Sequence, residues 1–586
     1  MDNFIAFDTE TANMKGGGQA VLATTFDGIF PRMLTLPVTF SDFWEFIRGH
    51  CAPRNHLKFV AWNLQFDAQA IIHPAFLQDQ TIISLAMTGE AKEGPWRFEY
   101  LPRKYLSISD GHTDAEFYDV YQYYQMSLRA AAEKFLGDTR KLEIPKNWYN
   151  RIQELLIKDG KAARRIEDYA TADVVCTYKL TQLVQQSFEK LNVCFDNPVS
   201  TGTLAKAHFA KQWVPANPSI NRIFESSMYG GRVEIFQQGK IAECWSYDLN
   251  SAYPSIIQTL KNPQNLWLRQ LGHDDQPRSD AVYGTYYITA SVPDVEFGPL
   301  AVRKPDGMVY YPVGNFKTWC GLKALNLLKD YAIDHKIIKG YEFYGKAENA
   351  GFAMLDLFHA RQQPELKLAA KLVMNSTYGI MCEHIDRYRS DELDDTWNKF
   401  SEYGKKANMA MAGHVTEAIR MKLWEAMRNL THMGYDVFLC ATDGIVTNCP
   451  PAAFWRQVGQ LSGSAAMGDW SLKGEYIHGL IYGCGRYVLW DKVTNEPEIH
   501  FRGFRVGPTE LKKIMNCKRK ALNIPILKGT SMIESAIGYF LEDYNVLKMV
   551  PLKFTMEDTK RAWKDRPTSL SDLSRNVYRS KPWVMM

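Results

Sequence analysis

Three short segments of this sequence carry residues able to do chemistry. In Tyr247-Asp248-Leu249-Asn250-Ser251-Ala252-Tyr253-Pro254-Ser255 a carboxylate follows Ile241 to Tyr247, a run of β-branched and aromatic residues that reads as a strand. A helical pattern begins at Ser255-Ile256-Ile257, with Ser251 placed to cap it and Pro254 near the first turn. An aspartate at the open end of a strand, with backbone amides just beyond, is placed to hold a divalent cation beside a polyphosphate; capping the following helix is the other reading. From Pro364 to Gly379, Lys367, Lys371, Asn375 and Tyr378 stand at spacings of four, four and three, one stripe of a helix. Two ammonium groups there would face a triphosphate, with an aromatic ring beyond to stack on a base or sugar. A solvated lysine face is the alternative, and it leaves Asn375 and Tyr378 unexplained. Finally, Tyr435 to Thr447 reads as two apolar strands joined at Asp443-Gly444, a hairpin signal that also sets an acid in the turn.

The first third of the chain adds further acids. Asn3 to Thr11 reads as a strand, and alternation sends Asp8 and Glu10 to the same face. Adjacent carboxylates repel one another without a cation, so the pair suits a metal, although two exposed acids on an edge strand would look the same. Lys58 to Trp62 reads as a second strand leading into Asn63 and Asp67 at a helix start. Glu167 to Asp173 opens a long helical pattern in which Tyr169 and Asp173 share a face. Gly16-Gly17-Gly18 lacks a following Lys-Ser or Lys-Thr and reads as a turn, not a phosphate loop.

Bringing these segments together takes a large scaffold, and 586 residues imply at least two cores. The formal charge of +4 makes no case for an anionic partner, whereas 30 Tyr, 30 Phe and 15 Trp provide ample stacking surface. The ten cysteines include no Cys-x-x-Cys pair, which argues against a zinc ribbon and fits free thiols in a reducing compartment. Asp2, Asp8 and Glu10 precede any apolar run that could form a signal peptide, and no stretch of about 18 apolar residues is available to span a membrane. The expectation is a soluble cytoplasmic protein without a membrane partner. Asn197 to Thr203 is turn-rich and reads as a junction. Between Lys553 and Lys581, Lys560, Arg561, Lys564, Arg566, Arg575 and Arg579 are interleaved with Trp563 and Tyr578, which suits either a nucleic-acid grip or a solvated helical face.

The order Asp8-x-Glu10, Asn63-x-x-x-Asp67, Tyr169-x-x-x-Asp173 resembles the three motifs of the 3′–5′ exonucleases that proofread for DNA polymerases. The resemblance implies that Asp8, Glu10, Asp67 and Asp173 hold two divalent ions at a scissile phosphate. It also implies that Tyr169 orients the attacking water and that Asn63 lines the path of the strand. Ser127-Leu128 resembles a single-strand-binding element of protein-primed polymerases, and Lys141 stands where it could touch the phosphate; a surface helix with a basic exit loop is the alternative.

The remainder resembles the family B DNA polymerases. Motif A corresponds to the Asp248 segment, and motif B (Lys-x-x-x-Asn-Ser-x-Tyr-Gly) to Lys371–Gly379 without departure. Motif C corresponds to Ala441-Thr442-Asp443, with alanine where the family usually carries its first aspartate. Met228-Tyr229-Gly230-Gly231-Arg232 resembles the Tyr-x-Gly-Gly template motif with methionine in place of the first tyrosine. Lys473-Gly474-Glu475-Tyr476 imperfectly resembles the Lys-x-Tyr or Lys-Lys-Arg-Tyr primer motif. The resemblance implies that Asp248 and Asp443, helped by the Leu249 carbonyl, hold two Mg²⁺ ions, with Mn²⁺ as a substitute. Lys371 and Lys367 would neutralise the triphosphate, Tyr253 would exclude a 2′-hydroxyl, and Asn375 and Tyr378 would bound the nascent pair. Tyr229, Gly230, Gly231, Arg232, Lys473 and Tyr476 would contact DNA.

The implied fold is a multidomain α/β and α+β protein: an RNase H-like exonuclease domain (1–190), a junction (191–228) and a right-hand polymerase domain (229–586). Within the latter the palm would take 229–260 and 406–500, a first insertion 261–345, the fingers 346–382, a second insertion 383–405 and the thumb 501–586. Two insertions at these places mark the members that prime from a protein hydroxyl, the compact polymerases of phages, adenoviruses and linear plasmids. The implied partners are primer-template DNA, dNTPs and a priming terminal protein, with the enzyme itself a monomer. The alternatives are an ordinarily primed family B polymerase, and an exonuclease or nucleic-acid-binding protein whose polymerase site is degenerate.

Overall fold

A computed structural model describes residues 4–12, 19–35, 39–50, 55–73, 76–137, 143–391, 396–460, 463, 465–504, 506–529 and 547–585. The first 120 residues build an eight-stranded mixed sheet, in the order Pro31–Thr35, Gln19–Phe26, Ile5–Ala12, His56–Ala61, Asp114–Asp119, Tyr105–Ser109, Trp96–Leu101, Glu90–Glu93. Its central strand is covered on both faces. Phe4 and Ala6 enter one core with Val174 and Val184 of the helix Gly160–Lys190, while Ile5 and Phe7 enter another with Phe43 and Leu64. That helix starts where Asp159 accepts from the amides of Lys161 and Ala162, a conventional N-cap.

The expected junction is partly helical. Thr201–His208 is a helix whose N-cap, Ser200, accepts from the Thr203 amide, so the turn signal ends three residues earlier than the sequence suggests. A second helix, Pro218–Glu225, follows behind the cap Asn217.

A second, larger sheet runs Ala562–Trp563, Val577–Lys581, Gln237–Ile241, Trp470–Gly483, Cys244–Leu249, Gly444–Thr447, Val437–Thr442, Arg232–Ile235. The chain from 232 to 241 bends at Phe236, pairing with Val437–Thr442 before the bend and with Trp470–Gly483 after it, which curls the sheet. The long helix Met409–His432 packs beneath it through Ile419, Leu423, Trp424 and Met427. Residues 267–344 form most of a five-stranded sheet with the helix Leu322–Asp330. A helix pair, Met354–Ala360 and Lys367–Met381, then leads to the hairpin His384–Asp391 and Thr396–Tyr403.

The range 501–586 differs from the single thumb that was expected. Ala521–Gly529 and Leu547–Thr555 form a separate hairpin, but Val577–Lys581 adds to the second sheet beside Gln237–Ile241, and Val584–Met585 pairs with Val313–Gly314 of the five-stranded sheet. Strand pairing between distant segments is a tertiary event, and the basic composition of this range did not reveal it. No described helix is long and apolar enough to cross a membrane.

Candidate active site

Asp248 lies near the end of Cys244–Leu249, and Asp443 in the turn joining Val437–Thr442 to Gly444–Thr447. These strands are neighbours: Asp248 pairs with Gly444, and the Leu249 amide donates to the Asp443 carbonyl over 3.0 Å. Two acids remote in sequence therefore share one end of the sheet. The turn is strained in an unexpected place. Thr442, not the glycine of Asp-Gly, takes a left-handed conformation (φ +62°), where a β-branched residue costs about 1–3 kcal/mol. Ser251 is also left-handed (φ +47°) and does not cap its helix; its hydroxyl accepts from Arg361 Nη1 over 2.9 Å.

Burial and the charge of Asp443 push Asp248 up from 3.8 to about 7. Burial also raises Asp443, opposed by the ammonium of Lys473, whose Nζ lies 4.0 Å from Asp248 Oδ2 and 3.4 Å from Asn250 Oδ1. Two half-buried carboxylates that disfavour joint ionisation form a donor set suited to a hard divalent cation. A pH dependence follows. At low pH Asp248 is protonated in both folded and unfolded chains. Between 3.8 and about 7 the unfolded chain ionises first, so folded stability falls across that window and then levels off. A divalent cation favours the ionised pair. Mg²⁺ is therefore expected to raise the melting temperature more at pH 8 than at pH 5.5, which a thermal melt in chelator against Mg²⁺ measures; equal shifts would contradict the assignment.

Opposite this end of the sheet lies the helix Lys367–Met381, with Lys367, Lys371 and Asn375 exposed along it. Tyr378 packs against Tyr253, ring centres 4.6 Å apart and tilted by 52°. Gly231 closes the other side. A Cβ there would lie 2.8 Å from Thr442 Cγ2 and 3.2 Å from the Tyr253 hydroxyl, so only glycine fits unaltered. The Met228–Arg232 turn, the Asp248 strand, the Asp443 turn and the helix Lys367–Met381 thus approach one another through Gly231, Tyr253, Thr442 and Tyr378.

Several expected DNA contacts lie elsewhere. Arg232 is 1% exposed, with Nε 2.7 Å from Glu234 Oε2, so its charge is spent inside the protein. Tyr476 is 3% exposed and donates to Glu498, since its place on the strand points it into the core beneath the sheet. Leu128 is core, and Ser127 caps its own short helix through the Ala130 amide. Arg561 is buried, and Tyr578 donates to Asp572. Tyr487 is a better candidate than Tyr476. It is stacked on His500 at 4.5 Å, and burial, Glu498 and Asp248 raise it to about 12. The signal was present as Arg486-Tyr487, the Arg-Tyr end of the primer motif.

The N-terminal acids lie on the strand Ile5–Ala12 and on two helices. Continuing the alternation, Asp8 and Glu10 follow the face of Ala6, toward the helix that carries Tyr169 and Asp173, while Thr9 follows Phe7. Asp67, on the helix Gln65–Ile71, meets Thr9: its Oδ1 accepts from the Thr9 amide and hydroxyl, each at 2.8 Å. Among the described residues no three acids, histidines or cysteines form a group close enough to hold an ion. Burial pushes Asp67 up to about 7 against the Thr9 hydrogen bonds, with Asp119 adding to the rise. Asp119, unremarked in the sequence, accepts from the amides of Asn63 and Tyr121 at 2.9 Å each and so holds the left-handed Asn63 turn (φ +67°). Lys141 and Gly16–Gly18 lie outside the described residues.

Residues 154–415 match the sequence profile of DNA polymerases of type B, organellar and viral. The chain is 26% identical over 231 residues to a probable DNA polymerase of Ascobolus immersus, covering 37% of this chain and 19% of that protein. It is 25% identical over 235 residues to one of Neurospora intermedia, covering 36% and 24%. The match thus spans about a fifth to a quarter of the length of these curated relatives. Among solved structures, Phi29 DNA polymerase superposes with a TM-score of 0.66 at 13% identity, covering 94% of this chain and 100% of that one. The same enzyme complexed with primer-template DNA and incoming nucleotides gives 0.63 at 12% identity, covering 94% and 99%. The fold is that of Phi29 DNA polymerase.

Proposed function

We propose that this chain, a relative of the type B DNA polymerases, extends a DNA 3′ end on a template from dNTPs and removes mispaired 3′ ends in its N-terminal part. The meeting of Asp248 and Asp443 at one end of the sheet carries the synthetic half of the reading. A divalent cation bound there would supply charge neutralisation and a more acidic primer hydroxyl. The residues of the chain do the rest. Asp248 and Asp443 fix where positive charge gathers. Lys371 and Lys367 draw the triphosphate along the helix, and Lys473 guards the acids from the primer side. The primer 3′-oxygen then bonds to the α-phosphorus as pyrophosphate leaves, a transfer governed by positioning and electrostatics. Tyr253, held beside Gly231 and Tyr378, is the residue that would exclude a 2′-hydroxyl. Tyr487 faces the primer end.

The exonuclease half rests on the order of the three acidic motifs, the first on a strand of the mixed sheet and the other two on helices. It has its own test. Asp8→Ala with Glu10→Ala is expected to abolish digestion of a labelled single-stranded 3′ end while primer extension with Mg²⁺ continues at the wild-type rate; undiminished digestion would refute the assignment. Priming from a protein hydroxyl is the finer reading, supported by the additional sheet at 267–344 and the hairpin at 384–403. Transfer of labelled dNMP to a candidate terminal protein, with no oligonucleotide present, is its measurement.

A further inference from the structure

The turn Met228–Arg232 is held from outside at nearly every residue. Arg303 Nη2 donates to the Met228 carbonyl over 2.6 Å, and its guanidinium sits 5.3 Å from the Tyr229 ring. The Tyr229 hydroxyl donates to the Trp319 carbonyl over 2.9 Å. The Gly230 carbonyl accepts from Arg420 Nη1 over 2.6 Å. Arg420 lies 3.9 Å from the buried carboxylate of Glu417, whose oxygens in turn accept from the amides of Gly321 and Lys323 at 2.7 and 3.0 Å. Arg232 Nη1 donates to the Gly298 carbonyl over 2.9 Å, with its guanidinium 3.9 Å above the Tyr311 ring. All of these anchors except the Glu417–Arg420 relay belong to residues 298–321, and that relay ends on Gly321 and Lys323. On its far side the same turn sets Gly231 so close to Thr442 and Tyr253 that an added Cβ would lie 2.8 Å from Thr442 Cγ2 and 3.2 Å from the Tyr253 hydroxyl.

A turn fastened on one side and packed on the other transmits position, because close-packed groups shift together rather than compress. Sugar discrimination by an aromatic ring depends on clearances of a few tenths of an ångström. We propose that residues 298–321 set the position of Tyr253 through the Met228–Arg232 turn, making Arg303 a positioning residue for the choice of deoxynucleotide. The inference rests on the polymerase reading and adds to it that the inserted sheet governs nucleotide selection. Whatever docks on that sheet would then alter selectivity without touching the nucleotide.

Single-nucleotide incorporation by the full chain with Arg303→Ala, Arg303→Lys and Tyr229→Phe tests it. Arg303 is exposed, so its loss spares the core, and Tyr229→Phe removes one hydroxyl only. Arg303→Ala is expected to raise the dNTP KM and the ratio of ribonucleotide to deoxynucleotide incorporation by about three- to tenfold each, with kcat near wild type. Arg303→Lys, still able to donate to the Met228 carbonyl, recovers most of both, and Tyr229→Phe shifts the ratio in the same direction as Arg303→Ala. A wild-type chain that adds no nucleotide counts against the polymerase reading itself. An active wild type whose Arg303→Ala variant keeps the wild-type ratio, or loses only primer-template affinity, overturns the inference.

Discussion

Asp443→Asn is expected to slow nucleotide addition on the order of 10³-fold, about 4 kcal/mol of lost transition-state stabilisation, without weakening the fold. The two halves of that result have separate causes. In the proposed mechanism the carboxylate is one of two that gather positive charge at the reacting phosphate, and an amide of the same shape cannot replace its charge. The backbone contact at this site, Leu249 amide to Asp443 carbonyl, does not involve the side chain and survives the change. Asp443 is, moreover, one of the causes that hold Asp248 near 7. Removing its charge lowers Asp248 toward its ordinary range and shrinks the stability lost as pH rises from about 4 to 7. A melt at pH 8 in chelator should therefore show a transition at or above that of the wild type. Residual synthesis within tenfold of wild type would sink the assignment, and a lower melting temperature would recast Asp443 as a structural residue.

The second large effect is on stability. Glu234 is fully buried beside two arginines that are each 1% exposed: Arg232, with Nε at 2.7 Å, and Arg561, with Nη1 at 3.8 Å. Glu234→Ala strands both guanidinium groups without their shared carboxylate, a cost of about 3–5 kcal/mol for a buried pair broken from one side. Arg561 also donates to Ser580 and to the Glu296 carbonyl, so the break loosens the C-terminal strands from the second sheet. Urea unfolding followed by tryptophan fluorescence should show a clear fall in midpoint, whereas an unchanged midpoint would mean that solvent reaches the arginines. The same burial separates two accounts of Arg232. If it bound phosphate, Arg232→Ala would flatten the salt dependence of DNA binding by about one unit of log–log slope. Held as it is by Glu234, Gly298 and Tyr311, it should leave that slope unchanged and reduce stability instead.

The residues that bear chemistry were legible because their signals are local. A strand run ending at Asp248, a stripe of Lys367, Lys371, Asn375 and Tyr378, and an acid in a hairpin turn depend on periodicities of 3.6 and 2 that any reader of the chain can count. At Lys473–Tyr476 the lysine stands beside Asp248 but the tyrosine does not. Local resemblance favoured it, while the sheet turns Tyr476 inward and leaves Tyr487 within reach of the field of Asp248.

By itself, then, the amino-acid order determined which side chains could neutralise a triphosphate, hold a cation and stack on a base, and in what succession they come. Only the tertiary structure decided which of them meet. It joined Asp248 to Asp443 across paired strands, turned Asp67 onto Thr9, buried Arg232 against Glu234, and drew Val577–Lys581 back into the second sheet. These outcomes depend on long-range pairing and on the balance between desolvation and ion pairing, and neither is set by residues adjacent in the chain. The strain at Thr442 belongs with them, since a β-branched residue takes a left-handed conformation only where packed neighbours on both sides hold it there.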